Sequence, residues 1–199
     1  MSEADQGARK RGCILKLLIV WVSIWVVVIG VILVIRLRAV TDPQDVLLRA
    51  DQLVKLDLPD RFEPYRINRA FGLEVISFWD TEHMADERAQ AIIAIQRDDD
   101  WKEWTLDKLR QSTMIDLEKR LNELEFKTRE QRLEQNASGI EVIRFSGVQK
   151  MDDGLKEATC CYRFVMSKEG PLRIQSLGLD SAFPPEEQIA LLSAARPAD

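Results

Sequence analysis

The alternation of apolar and polar positions divides the chain into one segment with no polar face and a longer remainder in which apolar residues recur at regular intervals. The first is LLIVWVSIWVVVIGVILVI, Leu17 to Ile35, 19 residues without a charge, 15 of them Leu, Ile or Val. At 1.5 Å per residue such a helix spans roughly 28 Å, close to a hydrocarbon core of about 30 Å. Its aliphatic residues favour insertion by roughly 5 to 9 kcal/mol, and Lys16 sits at the edge, where its stem carries the ammonium to the headgroups. A cleaved signal peptide has an apolar region of about 7 to 15 residues followed by small residues. Here Arg36, Leu37, Arg38 and Ala39 follow, so residues 14–36 are expected to stay as a transmembrane helix. Arg9, Lys10, Arg11 and Lys16 precede it, against Arg36 and Arg38 just after it and Arg49 further on. That bias places the amino terminus in the cytoplasm and the rest outside. Ser23 and Gly30 share a helix face but form no GxxxG, so a lone helix is expected.

Beyond the span the period changes. Asp42-Pro43 is an N-cap followed by proline at the first helical position, and Val46, Leu47, Ala50, Leu53 and Val54 continue at helical spacing, predicting a helix over 43–56. Leu58 to Pro64 breaks it. Strand-like runs follow at 61–68, 71–80 and 89–97, and Asp98 to Asp100 end the third. Leu106, Leu109, Thr113, Leu117, Leu121 and Leu124 then fall on one stripe, predicting a long helix over 102–124.

The last third reads as a charged run from Phe126 to Glu134 and then three strands, IEVIRFSGVQKM, LKEATCCYRFVMS and PLRIQSLGLD. Turns at Asn136 to Gly139, Asp152 to Gly154 and Glu169-Gly170 separate them. In the middle strand Ala158, Cys160, Tyr162, Phe164 and Met166 share the face expected against the long helix, while Glu157, Thr159 and Arg163 predict a wetter opposite face. Pro184-Pro185 introduces a last helix over 186–195, whose Ile189, Leu192 and Ala195 are expected to close the sheet's edge. The class is α+β: an antiparallel β-sheet packed against one long helix and a C-terminal helix, preceded by one transmembrane helix. The expected divisions are a basic cytoplasmic tail over 1–13, the span over 14–36, a juxtamembrane helix and linker over 37–59, and a soluble domain over 60–199.

This order of strands, long helix, meander and terminal helix over 60–196 resembles the PsbP-like superfamily, which implies a central antiparallel sheet flanked by helices and carries no binding residue across. The stretch from Asp42-Pro43 through LPDRFEP to Phe71-Gly72 is similar to uncharacterised bacterial single-pass membrane-anchored proteins. That likeness implies location, not activity.

Charge removes some functions. Six of the 28 basic and two of the 33 acidic residues precede residue 39, leaving 22 basic and 31 acidic, a net charge of −9. No nucleic-acid partner is expected of that remainder. Cys13 lies across the expected membrane from Cys160 and Cys161, and those two neighbours in a strand point to opposite faces, so free thiols are expected and a disulfide framework is not.

His83, the one histidine, stands among Asp80, Glu82, Asp86 and Glu87, a composition able to ligate a divalent metal but without HExxH or paired CxxC spacing. A Ser-His-Asp hydrolase would have to use it, and Ser146 reads as strand, outside any GxSxG elbow. Asp98, Asp99 and Asp100 lack the spacing and closing glutamate of a calcium loop. Trp101 and Trp104 lie three apart, as in a sugar or partner platform, though core packing is the commoner use of such a pair. Asn136-Ala137-Ser138 is a glycosylation sequon in a turn. No catalytic, cofactor-binding or metal-binding residue is therefore assigned. The expectation is a membrane-anchored extracytoplasmic interaction or accessory module, touching lipid through its helix and an unknown protein partner, more non-enzymatic than enzymatic. The alternative is an extracytoplasmic enzyme or small-ligand binder using the acidic loop around His83.

Overall fold

The computed structural model describes residues 20–30, 39–85, 88–136 and 138–198. The chain forms two compact units, Met1–Ala39 and Val40–Asp199. In the first, residues 20–30 form helix α1, with Trp21 and Trp25 edge to face at 5.7 Å. Among the described residues no helix is long and apolar enough to cross a membrane. The ends of the expected span, 14–19 and 31–36, lie outside the described residues, as does Cys13.

The second unit is α+β. Its sheet has seven strands in the order β2-β3-β6-β10-β9-β8-β7, every neighbour antiparallel. Here β2 is Phe62–Ala70, β3 Leu73–Asp80, β6 Ala91–Asp98, β7 Phe126–Gln135, β8 Glu141–Met151, β9 Gly154–Ser167 and β10 Gly170–Leu179. Two meanders, β2-β3-β6 and β7 to β10, join where β10 pairs with β6. Four short pieces complete the strands: β1 (Val54–Lys55), β4 (Met84–Ala85), β5 (Arg88–Ala89) and β11 (Arg196–Pro197), with β4 and β5 a small hairpin between β3 and β6. Phe71 and Gly72 both take positive φ, 51° and 86°, which a two-residue hairpin turn between β2 and β3 requires.

Helices cover the two faces unequally. On one face lie α2 (Pro43–Leu53) and α4 (Pro185–Ala194), over a core that includes Val46, Leu53, Ile67, Ile76, Phe78, Ile93, Ile95, Ile174, Phe183 and Leu192. On the other lies α3 (Leu106–Glu123), over Phe145, Cys160, Tyr162, Leu177 and Leu179. It packs on β7, β9 and β10. Consequently β9 and β10 are buried on both sides, whereas β3 and β6 alternate buried with half-buried positions, because no helix lies over their second face.

Several expectations change. From residue 40 on, the expected linker 37–59 is part of the domain: Asp42 caps α2 by accepting from Gln44 N (2.9 Å), and Val46, Ala50 and Leu53 are buried. Val40 bridges to Ile67, and β1 pairs with β11 (Arg196–Pro197), so the unit begins twenty residues before residue 60. The long helix starts later than residue 102, because Asp99–Trp101 form a 3-10 turn and the Thr105 hydroxyl caps α3 by accepting from Lys108 N. The face of β9 expected to be wet is buried at Thr159, Cys161, Arg163 and Val165, because α4 lies across it rather than along the sheet's edge. In α4, Leu191 and Leu192 are buried and Ile189 only partly.

Candidate functional site

Asp80 ends β3 with its side chain fully buried. Its Oδ1 accepts from the backbone N–H of Glu82 and His83, at 3.0 and 3.1 Å, while its Oδ2 accepts from Arg61 Nε at 3.1 Å and lies 3.0 Å from His83 Nδ1. Arg61 continues to Glu187 in the first turn of α4, at 2.7 Å. Asp80 thus shapes the turn after β3 and fastens it to α4. His83 is 41% exposed, with Asp80 as its one described carboxylate contact; Asp86 and Glu87 lie outside the described residues. Among the described residues no three metal-ligating side chains come together.

The other sequence candidates are also placed. Asp98 caps the 3-10 turn by accepting from Asp100 N at 3.0 Å, and Asp99 pairs with Arg97 and Lys102, so the three carboxylates do not converge. Trp101 is buried beneath the Arg173 guanidinium, 5.4 Å from its ring centre, and Trp104 carries Lys108 Nζ at 4.4 Å. Their rings sit 6.3 Å apart and tilted, not as a shared platform. Cys160 and Cys161 are buried and free, and burial pushes the Cys160 thiol up to about 12. Ser146 sits in β8 paired with Thr159. The Asn136 side-chain oxygen accepts from the N–H of Ser138 and Ile140, shaping the β7–β8 turn.

A charged cluster ties α2 to the sheet. Arg49 reaches Glu74 on β3 and Glu169 in the β9–β10 turn, both at 2.7 Å, and Arg69 and Arg97 also pair with these carboxylates. Burial, the largest influence on Glu74, pushes its carboxyl up, but Arg49 and Arg69 together outweigh it and hold it below the ordinary value. Arg49 does the same for Glu169 against a smaller opposing effect of burial.

A concave feature lies elsewhere, on the half of the sheet that α3 leaves open. There Tyr65 and Trp79 stack with ring centres 3.7 Å apart and planes 17° from parallel, and the Arg66 guanidinium carbon lies 4.7 Å from the Tyr65 ring centre. Trp79 faces Ile92 across the β3–β6 ladder. Beside them is a cleft of about 290 Å³ lined by Trp79, Ala89, Gln90, Ile92, Leu124, Glu125, Gln149, Lys150 and Met151. Its far wall is the end of α3 and of β8, tied together where Lys150 N donates to the Glu125 carbonyl and Gln149 Nε2 to the Leu124 carbonyl. Glu125 takes φ 55°, the left-handed conformation with which helices commonly end on glycine. The loop carrying His83 does border the cleft, through Ala89 and Gln90, and Gln90 N donates to the His83 carbonyl.

The sequence did not reveal this cleft. Its visible trace is that β3 alternates strongly apolar Ile76 and Phe78 with the mixed set Val75, Ser77 and Trp79.

No family model and no curated protein sequence matches the chain. Two solved structures are distantly similar in fold. One is LpqN, involved in cell envelope biogenesis of Mycobacterium tuberculosis, with TM-score 0.39 and 10% identity over 72% of this chain and 82% of that one. The other is PA94 of Pseudomonas aeruginosa, a protein of unknown function, with TM-score 0.35 and 11% identity over 68% of this chain and 89% of that one. Neither bears out the PsbP-like resemblance.

Proposed function

We propose that the chain is a non-enzymatic binding module held on the outer side of the cytoplasmic membrane by residues 14–36, and that its binding surface is the open half of the sheet with the cleft beside it. The observation that carries the reading is the Tyr65–Trp79 stack, two large aromatic rings kept half-buried on a helix-free face and adjoining a concavity. Aromatic rings at a solvated surface with polar neighbours are a common basis of recognition, since they supply large contact area with little conformational freedom to lose. The anchor rests on the uncharged run Leu17–Ile35, and the orientation on the basic residues before it.

Each part has its test. Heteronuclear spectra of residues 40–199, titrated with a mixed library of small neutral, charged and aromatic compounds, should show saturable shifts grouped at Trp79, Ile92, Gln149 and Met151; scattered shifts, or none, refute the site. Leu155, exposed on β9, gives the topology test. A Leu155→Cys variant should react with an impermeant maleimide on intact cells, and labelling only after lysis would reverse the orientation. The full chain should stay with membranes through carbonate extraction, and its release would remove the anchor.

A further inference from the structure

Building on the binding-module reading, we infer that the cleft beside Trp79 takes a neutral saccharide, one ring or two, seated against the indole. The cleft has one aromatic surface and a polar rim supplied from separate elements: Gln90 from the loop before β6, Glu125 after α3, Gln149 and Lys150 from the end of β8. Tyr65 already covers one face of the Trp79 ring, leaving its other face or its edge to the cleft. A pyranose combines a face of C–H groups, which packs on an aromatic ring, with hydroxyls around its whole perimeter that donate and accept. The rim matches that demand, with amides that do both, a carboxylate that accepts and an ammonium that donates.

Other classes fit less well. A wholly apolar ligand would desolvate the amides and both charges without replacing their hydrogen bonds. Anionic ligands meet a carboxylate at the rim and a domain of net charge −9. Glu125 and Lys150 carry opposite charges, so the rim is balanced for a neutral guest. A volume of about 290 Å³ lies near the lower end of small-molecule sites, about 300 to 1,000 Å³, which sets the one-or-two-ring limit. Glu125 also keeps a long carboxylate side chain in a backbone conformation suited to glycine.

The test is saturation-transfer difference spectroscopy on the full chain in lipid nanodiscs, free of sugar-based detergent. The probes are cellobiose, maltose and N,N′-diacetylchitobiose, with glucose 6-phosphate, adenosine and 3-indolepropionamide as rivals. At least one neutral disaccharide should give saturable transfer that Trp79→Ala weakens tenfold or more and Glu125→Gln several-fold. Trp79→Phe, which keeps a ring, should lose less, and the melting temperature of each variant checks that it folds. If adenosine, the indole amide or the phosphorylated sugar binds at Trp79 and no neutral disaccharide does, the saccharide assignment is overturned while the binding surface stands. Transfer unaffected by either Trp79 variant overturns it as well. If no probe binds and the compound library also leaves the cleft unshifted, both readings fall.

Discussion

Leu192→Ala is the sharpest probe of how α4 is seated. Leu192 is fully buried on the face that α4 shares with β9, in one core cluster with Cys161 and Val165, and its carbonyl accepts from Arg163 Nη1 in the strand below. Truncating a fully buried leucine costs about 2 to 5 kcal/mol, the spread reflecting how far the cavity collapses. Here the cavity floor is strand backbone held on both sides by ladders, which resists collapse and favours the upper half of that range. Against a typical domain stability of about 5 to 15 kcal/mol this is about a quarter or more of the total. For a unit of this size each kcal/mol moves the melting temperature by about 2 to 4 °C, so a fall of roughly 6 to 20 °C is expected. Ile189, only partly buried three residues earlier, should cost about 1 kcal/mol when truncated. Urea and thermal melts of residues 40–199 and the two variants measure both, and an unchanged urea slope would show that one cooperative unit is still being unfolded. A Leu192→Ala variant within about 1 kcal/mol of the parent, or an Ile189→Ala variant that costs as much, would show that α4 is not seated through Leu192.

Three further outcomes follow from the geometry. Gly147→Ala would set a Cβ 2.2 Å from the Lys127 carbonyl oxygen of β7, so it should cost about 1 to 3 kcal/mol and speed amide exchange along β7 while β9 and β10 stay protected; equal protection throughout would refute the close approach. Glu74 and Glu169 are held below their ordinary value, so the stability they add is complete above about pH 4.3 and is lost as pH falls through their folded values. Arg49→Met should therefore lower the melting temperature at neutral pH and flatten its fall in acid, and parallel curves would show that Arg49 is not the cause. Asp180 behaves oppositely: burial, aided by Glu157 and Glu186, raises its carboxyl above the ordinary value against Thr159 and Arg144, so its stability is present in acid and lost as pH rises through the folded value. Asp180→Asn should be more stable than the parent at neutral pH, with the gain vanishing below about pH 3.9, as urea melts across pH would show.

Much of the local structure was legible because it depends on neighbours in sequence. The stripe of Leu109, Thr113, Leu117 and Leu121 does face the sheet, and Gly154 and Gly170 do turn with positive φ. What escaped depends on partners far along the chain. Nothing local tells that β10 inserts beside β6, yet that pairing decides which strands α3 covers and leaves Trp79 open. The cleft gathers positions 79, 90, 125 and 149 only after that pairing is made. His83 and the tryptophan pair stand out by residue type, and type alone does not report that Asp80 is occupied with a turn and Arg61, or that Trp101 is interior. The unit begins ahead of residue 60 for a similar reason: α2 ends at Leu53, where β1 starts and well before Leu58 to Pro64, and it has already packed its apolar side into the core.

The way the chain enters its domain has a mechanical meaning. Tension arriving from the amino end meets first the two backbone bonds between Val40 and Ile67, at 3.0 and 2.8 Å, then the Arg49 ion pairs, then the Val54–Pro197 ladder that also pins the carboxyl end. These fasteners lie one after another along the chain, so a pull loads them, and the buried side chains of α2, before it reaches the ladders of the seven-stranded sheet. The first peel would free residues 40–55 and, with them, the last residues of the chain, while the face bearing Tyr65 and Trp79 kept its own ladders to β3 and β6.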